Sequence, residues 1–479
     1  MIFSSRHYAI GLAHYLIAGG NRGLMLLASA YVAVISVIVG LICYNVQSHE
    51  IPSAMQGLSL FLLIAQAFGL VVFGSGRIVS CIRNDVTTNM MESHRLMPIA
   101  SWRVVLAYML GTTSQLLLVM VLNLIVLMIT EAFAHVPFES FVLSQMVLAF
   151  FALFIWSFMA MCGFMFKQAL PLMVMGMVFG GVGSAILRSS GILPPLAILA
   201  SPFLGETIFN LTGGTVNPRG LYAVALPAQL AFGVLFFIGA CRRYRGSYTS
   251  TFNVGMGVIL IALWGGLSLV SMWVWPVVME RFQRGREAPL QAQIVAALVA
   301  CCLLTIVPTH ALAAWEHACG LSTRNRVLAL IGTIAAASIP MYISNNPAAW
   351  AVVLVVLLMH VLTLYSAFRF TRGMSMLASG VLSVALLFTL WVAPLFIDFC
   401  IWLVNSPPNA PEEMSAISSF SPLGSMIIAW QDPISRPPLM WGLGFQAIIT
   451  TLAWRIGSRR IERLAAADAA EGIMPALAR

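Results

Sequence analysis

Arg77–Gly111, RIVSCIRNDVTTNMMESHRLMPIASWRVVLAYMLG, is the longest polar interruption in the first third of an otherwise almost continuously apolar chain. Arg77, Arg83, Arg95 and Arg103 face only Asp85 and Glu92. Apolar runs of membrane-spanning length flank the stretch on both sides. A basic connector between two spans stays in the cytoplasm, because Lys and Arg are retained on that side during insertion. Its middle, Asp85 to Met97, is predicted to form a short helix along the membrane surface, stopped by Pro98.

Outward from this connector, the composition agrees. Hydrophobic residues make up 60% of the 479 and charged residues 9%, with a mean hydropathy of +0.94. Soluble globular chains carry about 25% charged residues, so an all-α polytopic membrane protein is expected. The net charge of +9 then reads as the positive-inside signature of short loops rather than as a nucleic-acid footprint. No cleavable signal peptide is evident. The eight cysteines are scattered, without a CxxC pair, as small apolar filler would be.

Residues 1–20 carry Ser4, His7, Gly11 and His14 at helical spacing, which suits a helix lying in the membrane interface. Twelve apolar segments follow, each near the roughly 20 residues needed to cross a bilayer. They are 24–44, 56–76, 104–130, 140–165, 168–187, 220–241, 254–279, 289–314, 327–344, 348–367, 374–403 and 439–457. With both termini in the cytoplasm, that side collects 19 of the 25 basic residues. Two long outer loops, 188–219 and 404–438, are half apolar and punctuated by Pro and Gly. They are expected to form re-entrant helices before spans six and twelve, tolerated at membrane depth only where protein or water covers the backbone.

Matching residues recur at a nearly constant offset. Ser201-Pro202-Phe203 matches Ser421-Pro422-Leu423, Gln229 matches Gln446, and Arg242-Arg243 matches Arg459-Arg460. Ser101-x-Arg103 with Gly111-Thr112 matches Ser322-x-Arg324 with Gly332-Thr333. The chain therefore reads as two parallel six-span halves, 1–245 and 246–479. The long connector has no full counterpart in the second half, where Glu316, Arg324 and Arg326 are all that remains of its charge.

This organisation resembles the permease of a type-2 ABC exporter, here as a fused pair. Glu92, Leu96-x-Pro98-Ile99, Arg103 and Gly111 are similar to that family's segment opening the third span. The resemblance implies that the connector is a coupling helix docking into an ATPase subunit, with Arg83, Asp85, Glu92, Arg95, Leu96, Pro98 and Arg103 as contacts. It implies a second cytoplasmic contact at Glu316, Arg324 and Arg326. The outer re-entrant helices would hold Ser201, Pro202, Glu206, Ser421 and Pro422. It further implies an ATP-driven exporter in the plasma (inner) membrane of a bacterium, with ATP and Mg in the partner ATPase and no cofactor in this chain. Most members carry one six-span unit per chain, and the second coupling segment here is truncated.

No motif supports chemistry in the chain itself. The sole lysine, Lys167, is not part of GxxxxGK followed by Ser or Thr, and HExxH is absent. His310 and His360 sit singly in apolar runs, as core histidines do; Asp398, near the outer end of its run, is expected at the interface. Two other readings fit a multi-span chain. One is a facilitator-type secondary carrier, whose Gly-x-x-x-Asp-Arg loop is not evident between spans two and three. The other is a non-transporting membrane scaffold.

Overall fold

A computed structural model describes residues 20–45, 51–96, 98–165, 219–246, 251–279, 290–319, 322–343, 347–371, 382, 385–386, 388–405, 417–431 and 437–470. Among them 93% are helical and none is in a strand. Among the described residues seven helices are long and apolar enough to cross a membrane, so the chain, all-helical where it is described, is a multi-pass membrane protein. Large apolar side chains are exposed along them, such as Phe61, Val121 and Ile129. A surface of this kind is stable against lipid, which offers apolar side chains the solvent that water does not. The expected span 168–187, the interfacial helix before residue 20 and the expected loop 188–219, up to residue 218, lie outside the described residues.

The chain divides into two compact units, Met1–Thr251 with Trp273–Arg286, and Phe252–Met272 with Glu287–Arg479. The first contains α1 (Gly20–Asn45), α2 (Ile51–Thr87), α3 (Met90–Leu96), α4 (Ser101–Thr112), α5 (Ser114–Phe133), α6 (Phe138–Met165) and α7 (Arg219–Arg245). α2 is one continuous rod of 37 residues that passes through a π-turn at Gly69–Gly74. The π-turn has a visible cause. Trp156 of α6 is buried and its Nε1 donates to the Leu70 carbonyl at 2.7 Å. A Cβ on Gly74 would lie 2.7 Å from that same Nε1, so only glycine lets the ring in.

The span expected over 104–130 is broken at Thr113 into α4 and α5. Thr112 and Thr113 hydroxyls donate to Tyr108 and Met109 carbonyls, both at 2.6 Å, and Ser114 donates to Gly111. Such back-bonding competes with the helix ladder and bends it. Midway along the unit, amide side chains join four helices. Tyr31 of α1 donates to Asn123 of α5, which donates to Gln66 of α2 at 2.7 Å. Gln66 in turn donates to Gln145 of α6 at 3.1 Å. In an apolar medium these bonds act as glue between helices.

The second unit carries most of α8 (Val254–Met279), then α9 (Leu290–Leu304), α10 (Ile306–Cys319), α11 (Thr323–Ala337), α12 (Pro347–Phe370), α13 (Ala393–Asn405), α14 (Pro422–Gln431) and α15 (Pro437–Ala470). The span expected over 289–314 is interrupted at Thr305, three residues before Pro308. Pro308 lacks the N–H that would continue the ladder, and its ring packs on Gly257, where a Cβ would lie 2.8 Å from the proline nitrogen. The segment expected as span 327–344 runs instead as α11 to Ala337, followed by a 3-10 turn at Ile339–Ile343 around Pro340. The core of this unit is apolar, with Ile294, Leu298, Cys302, Val353, Leu357 and Trp391 all buried.

Candidate functional site

The connector begins where α2 ends. Thr87 and Thr88 hydroxyls both donate to the Asn84 carbonyl, at 3.0 and 2.7 Å, closing the rod. Asn89 then turns the chain at φ +57°, a left-handed conformation that asparagine tolerates better than most side chains. The surface helix expected from Asp85 to Met97 is therefore shorter: α3 spans Met90–Leu96. Pro98 follows, and extended Ala100 leads into α4.

This geometry separates the predicted contacts into two groups. Asp85, expected on the docking face, is buried in the last turns of α2. It accepts a hydrogen bond from the Tyr108 hydroxyl at 2.5 Å and lies 3.8 Å from His94 Nδ1. Arg95 also turns inward: its Nε donates to the Tyr244 carbonyl at the end of α7, at 2.7 Å, and its Nη1 pairs with Glu92 at 2.6 Å. A second strap runs from Arg245 Nε to Ser101 Oγ at 3.0 Å. Arg83 is half-buried, and Arg103 is held over the Trp102 ring at 5.1 Å. What remains outward is Glu92, Pro98 and Leu96. Leu96 is 88% exposed, on a helix that is otherwise tied down.

The second unit has its own charged cluster. Glu316 of α10 pairs with Arg326 of α11 at 2.8 Å and with Arg369 of α12 at 3.4 Å, and it accepts the Tyr365 hydroxyl at 2.5 Å. Arg369 reaches α15 as well, donating to Ser458 Oγ at 3.2 Å and lying 5.4 Å from the Trp454 ring centroid. Arg324 is exposed two residues before Arg326. Glu316 and Arg326 are thus brought together, but as a clasp among helices rather than as an open face.

Of the residues expected in the outer re-entrant helices, Ser201, Pro202 and Glu206 lie outside the described residues. Ser421 and Pro422 open α14, a helix of ten residues. The 3-10 turn before it, Ser418–Phe420, sits against two glycines. A Cβ on Gly424 would lie 1.9 Å from the Ser418 carbonyl oxygen, and one on Gly442 2.0 Å from that of Ser419. Asp398, expected at the interface rather than in a buried site, is buried and accepts from Ser418 Oγ.

Behind this turn lies a narrow crevice bordered by His360, Thr363, Phe420, Phe445, Gln446 and Thr450, with room for little more than one water. His360 is fully engaged: Nδ1 accepts from Trp391 Nε1 at 3.3 Å, and Nε2 faces the Cys302 carbonyl at 3.2 Å and Thr305 Oγ1 at 3.3 Å. The buried serines donate elsewhere, Ser421 to the Trp391 carbonyl and Ser425 to the Ser419 carbonyl. No Ser–His bond of the kind that activates a nucleophile is present among the described residues. No group of three or more metal-ligating side chains is present among them either.

Gln66, Asn123 and Gln145 are neutral amides inside apolar runs, with no charge to mark them in the sequence. Their signal was available, since an amide inside an apolar run must find a partner. The inward turn of Asp85 was also available. Ile78, Ile82 and Asp85 fall at helical spacing on one buried stripe.

No protein-family model, curated protein or solved structure matches the chain.

Proposed function

We propose that this chain is the transmembrane permease subunit of an ATP-driven exporter of the type-2 ABC kind, energised by separate ATPase subunits that dock on α3. In this reading both termini and the α3 end are cytoplasmic, residues 1–245 and 246–479 are parallel six-span repeats, and the membrane is the inner membrane of a bacterium. ATP and Mg belong to the partner.

The observation that carries the reading is a short helix with an exposed apolar anchor and rigid mountings on both sides. Leu96 stands 88% exposed beside Glu92, while Arg95 ties the same helix to the last turn of α7. On the other side α3 hangs from the 37-residue rod α2. A force applied at α3 would reach two long helices at once, as a motor-driven permease requires. Leucine against an ATPase cleft would bury about 1.5–3 kcal/mol of apolar surface.

The test is recovery of partners from native membranes with the detergent-solubilised full chain. An ABC-type ATPase that co-purifies with the wild type and is lost with Leu96→Glu and Glu92→Arg supports the proposal. A well-folded chain that recovers no ATPase overturns it, and a secondary carrier then takes its place.

A further inference from the structure

α15 is too long for the membrane alone. At 1.5 Å per residue its 34 residues extend about 51 Å, against a hydrocarbon core of about 30 Å. The two faces of this helix differ. Leu439, Gly442, Gln446, Thr450 and Gly457 are buried against the unit. Opposite them, Trp441, Ile448, Leu452 and Ile456 are 71%, 60%, 50% and 52% exposed.

At about 100° per residue, Arg455, Arg459 and Arg463 fall on that second face, within an arc of about 100° that also holds Trp441, Ile448 and Leu452. All three arginines are exposed, and their side chains make no hydrogen bond or ion pair among the described residues. Nearby, Arg460 points off the arc and is half-buried, and Glu462 is the single acid of the stretch. The lipid-facing stripe thus runs without a break into an arginine stripe.

Depth agrees with direction. Trp441 to Arg459 is 18 residues, about 27 Å of helix, close to one hydrocarbon thickness. With Trp441 at one interface, as tryptophans prefer, Arg459 reaches the other. Arg455, about 6 Å short of it, can snorkel outward, and Arg463 lies about 6 Å beyond, at the level of the phosphates.

We propose that Arg455, Arg459 and Arg463 form a binding face for the headgroups of anionic phospholipids in the leaflet at that end of α15. A protein docking beneath the unit would meet the helix end. The exposed apolar face of a spanning helix lies alongside lipid. The inference is independent of the exporter reading. Each arginine near an anionic leaflet strengthens binding about fivefold, so three together give on the order of a hundredfold.

The full chain would be purified into mixed micelles holding equal phosphatidylglycerol and phosphatidylcholine, and the co-bound lipid counted by native mass spectrometry. Wild type is expected to hold phosphatidylglycerol in clear excess, with the excess shrinking as salt rises. The triple change Arg455→Gln, Arg459→Gln, Arg463→Gln is expected to remove most of that excess with the melting temperature unchanged, and the triple lysine variant to keep it. Equal lipid counts on the wild type overturn the proposal. So does an excess that survives the glutamine variant, or one abolished as fully by the control Arg324→Gln.

Discussion

Asp85 in the first unit, buried, and Glu316 in the second, with 12% of its side chain exposed, are both carboxylates that accept a tyrosine hydroxyl at 2.5 Å. Their surroundings differ. Asp85 has a phenol and a histidine 3.8 Å away, while Glu316 sits between two arginines that reach three further helices. The connector accounts for the difference. In the first unit the chain leaves α2, forms α3 and returns, and backbone and side-chain straps at Tyr244 and Ser101 hold it. In the second only residues 320–322 separate α10 from α11, so the helix ends are clasped directly by charge. One unit presents a tethered handle; the other is locked.

Breaking the clasp is expected to do the most damage. Glu316→Ala leaves Arg326 and Arg369 without their shared anion; the Glu316–Arg369 pair is nearly buried, at 12% and 9% exposed, and removing one partner of such a pair costs up to about 3–5 kcal/mol. Thermal unfolding of the full chain in detergent should show this as the lowest midpoint of the series. A midpoint equal to wild type would mean that the clasp contributes nothing to the second unit.

The first unit should be most sensitive to packing rather than charge. In Gly74→Ala the new methyl meets the Trp156 ring at 2.7 Å, and the ring is pinned by its bond to Leu70. Overpacking of this kind costs about 1–3 kcal/mol. Asp85→Asn comes next, at about 1 kcal/mol, because an amide can still accept the Tyr108 hydroxyl. If Asp85→Asn proved as costly as Glu316→Ala, the contrast between the two carboxylates would fail.

These differences were only partly legible in the chain. Long apolar runs separated by basic stretches announced a multi-pass helical protein, since the bilayer fixes their length. The connector stood out for the same reason. What local pattern did not give was where each run breaks. Thr113 and Thr305 interrupt spans through hydroxyl back-bonding and, beside Thr305, through Pro308. Nor did it give the partners of Asp85 and Glu316. Tyr108 is 23 residues from Asp85 and Tyr365 is 49 from Glu316, separations that helical periodicity does not reach. Trp156 and Leu70, 86 residues apart, make the same point for the π-turn.

The smallest effect on folding is expected at the handle itself, where the comparison becomes functional. Leu96 touches little, so Leu96→Glu should shift stability by less than about 0.5 kcal/mol. Arg324→Glu, on an exposed turn of α11, should do the same. If the first unit alone carries the ATPase contact, co-purified ATPase falls several-fold with Leu96→Glu and is unchanged with Arg324→Glu. Equal losses from both would mean that the second unit offers a handle of its own, built on Arg324 rather than on a connector helix. The tethered and the locked unit would then differ in how they are held but not in what they bind. A loss with Arg324→Glu alone would reverse the assignment and place the contact on the clasped helix ends.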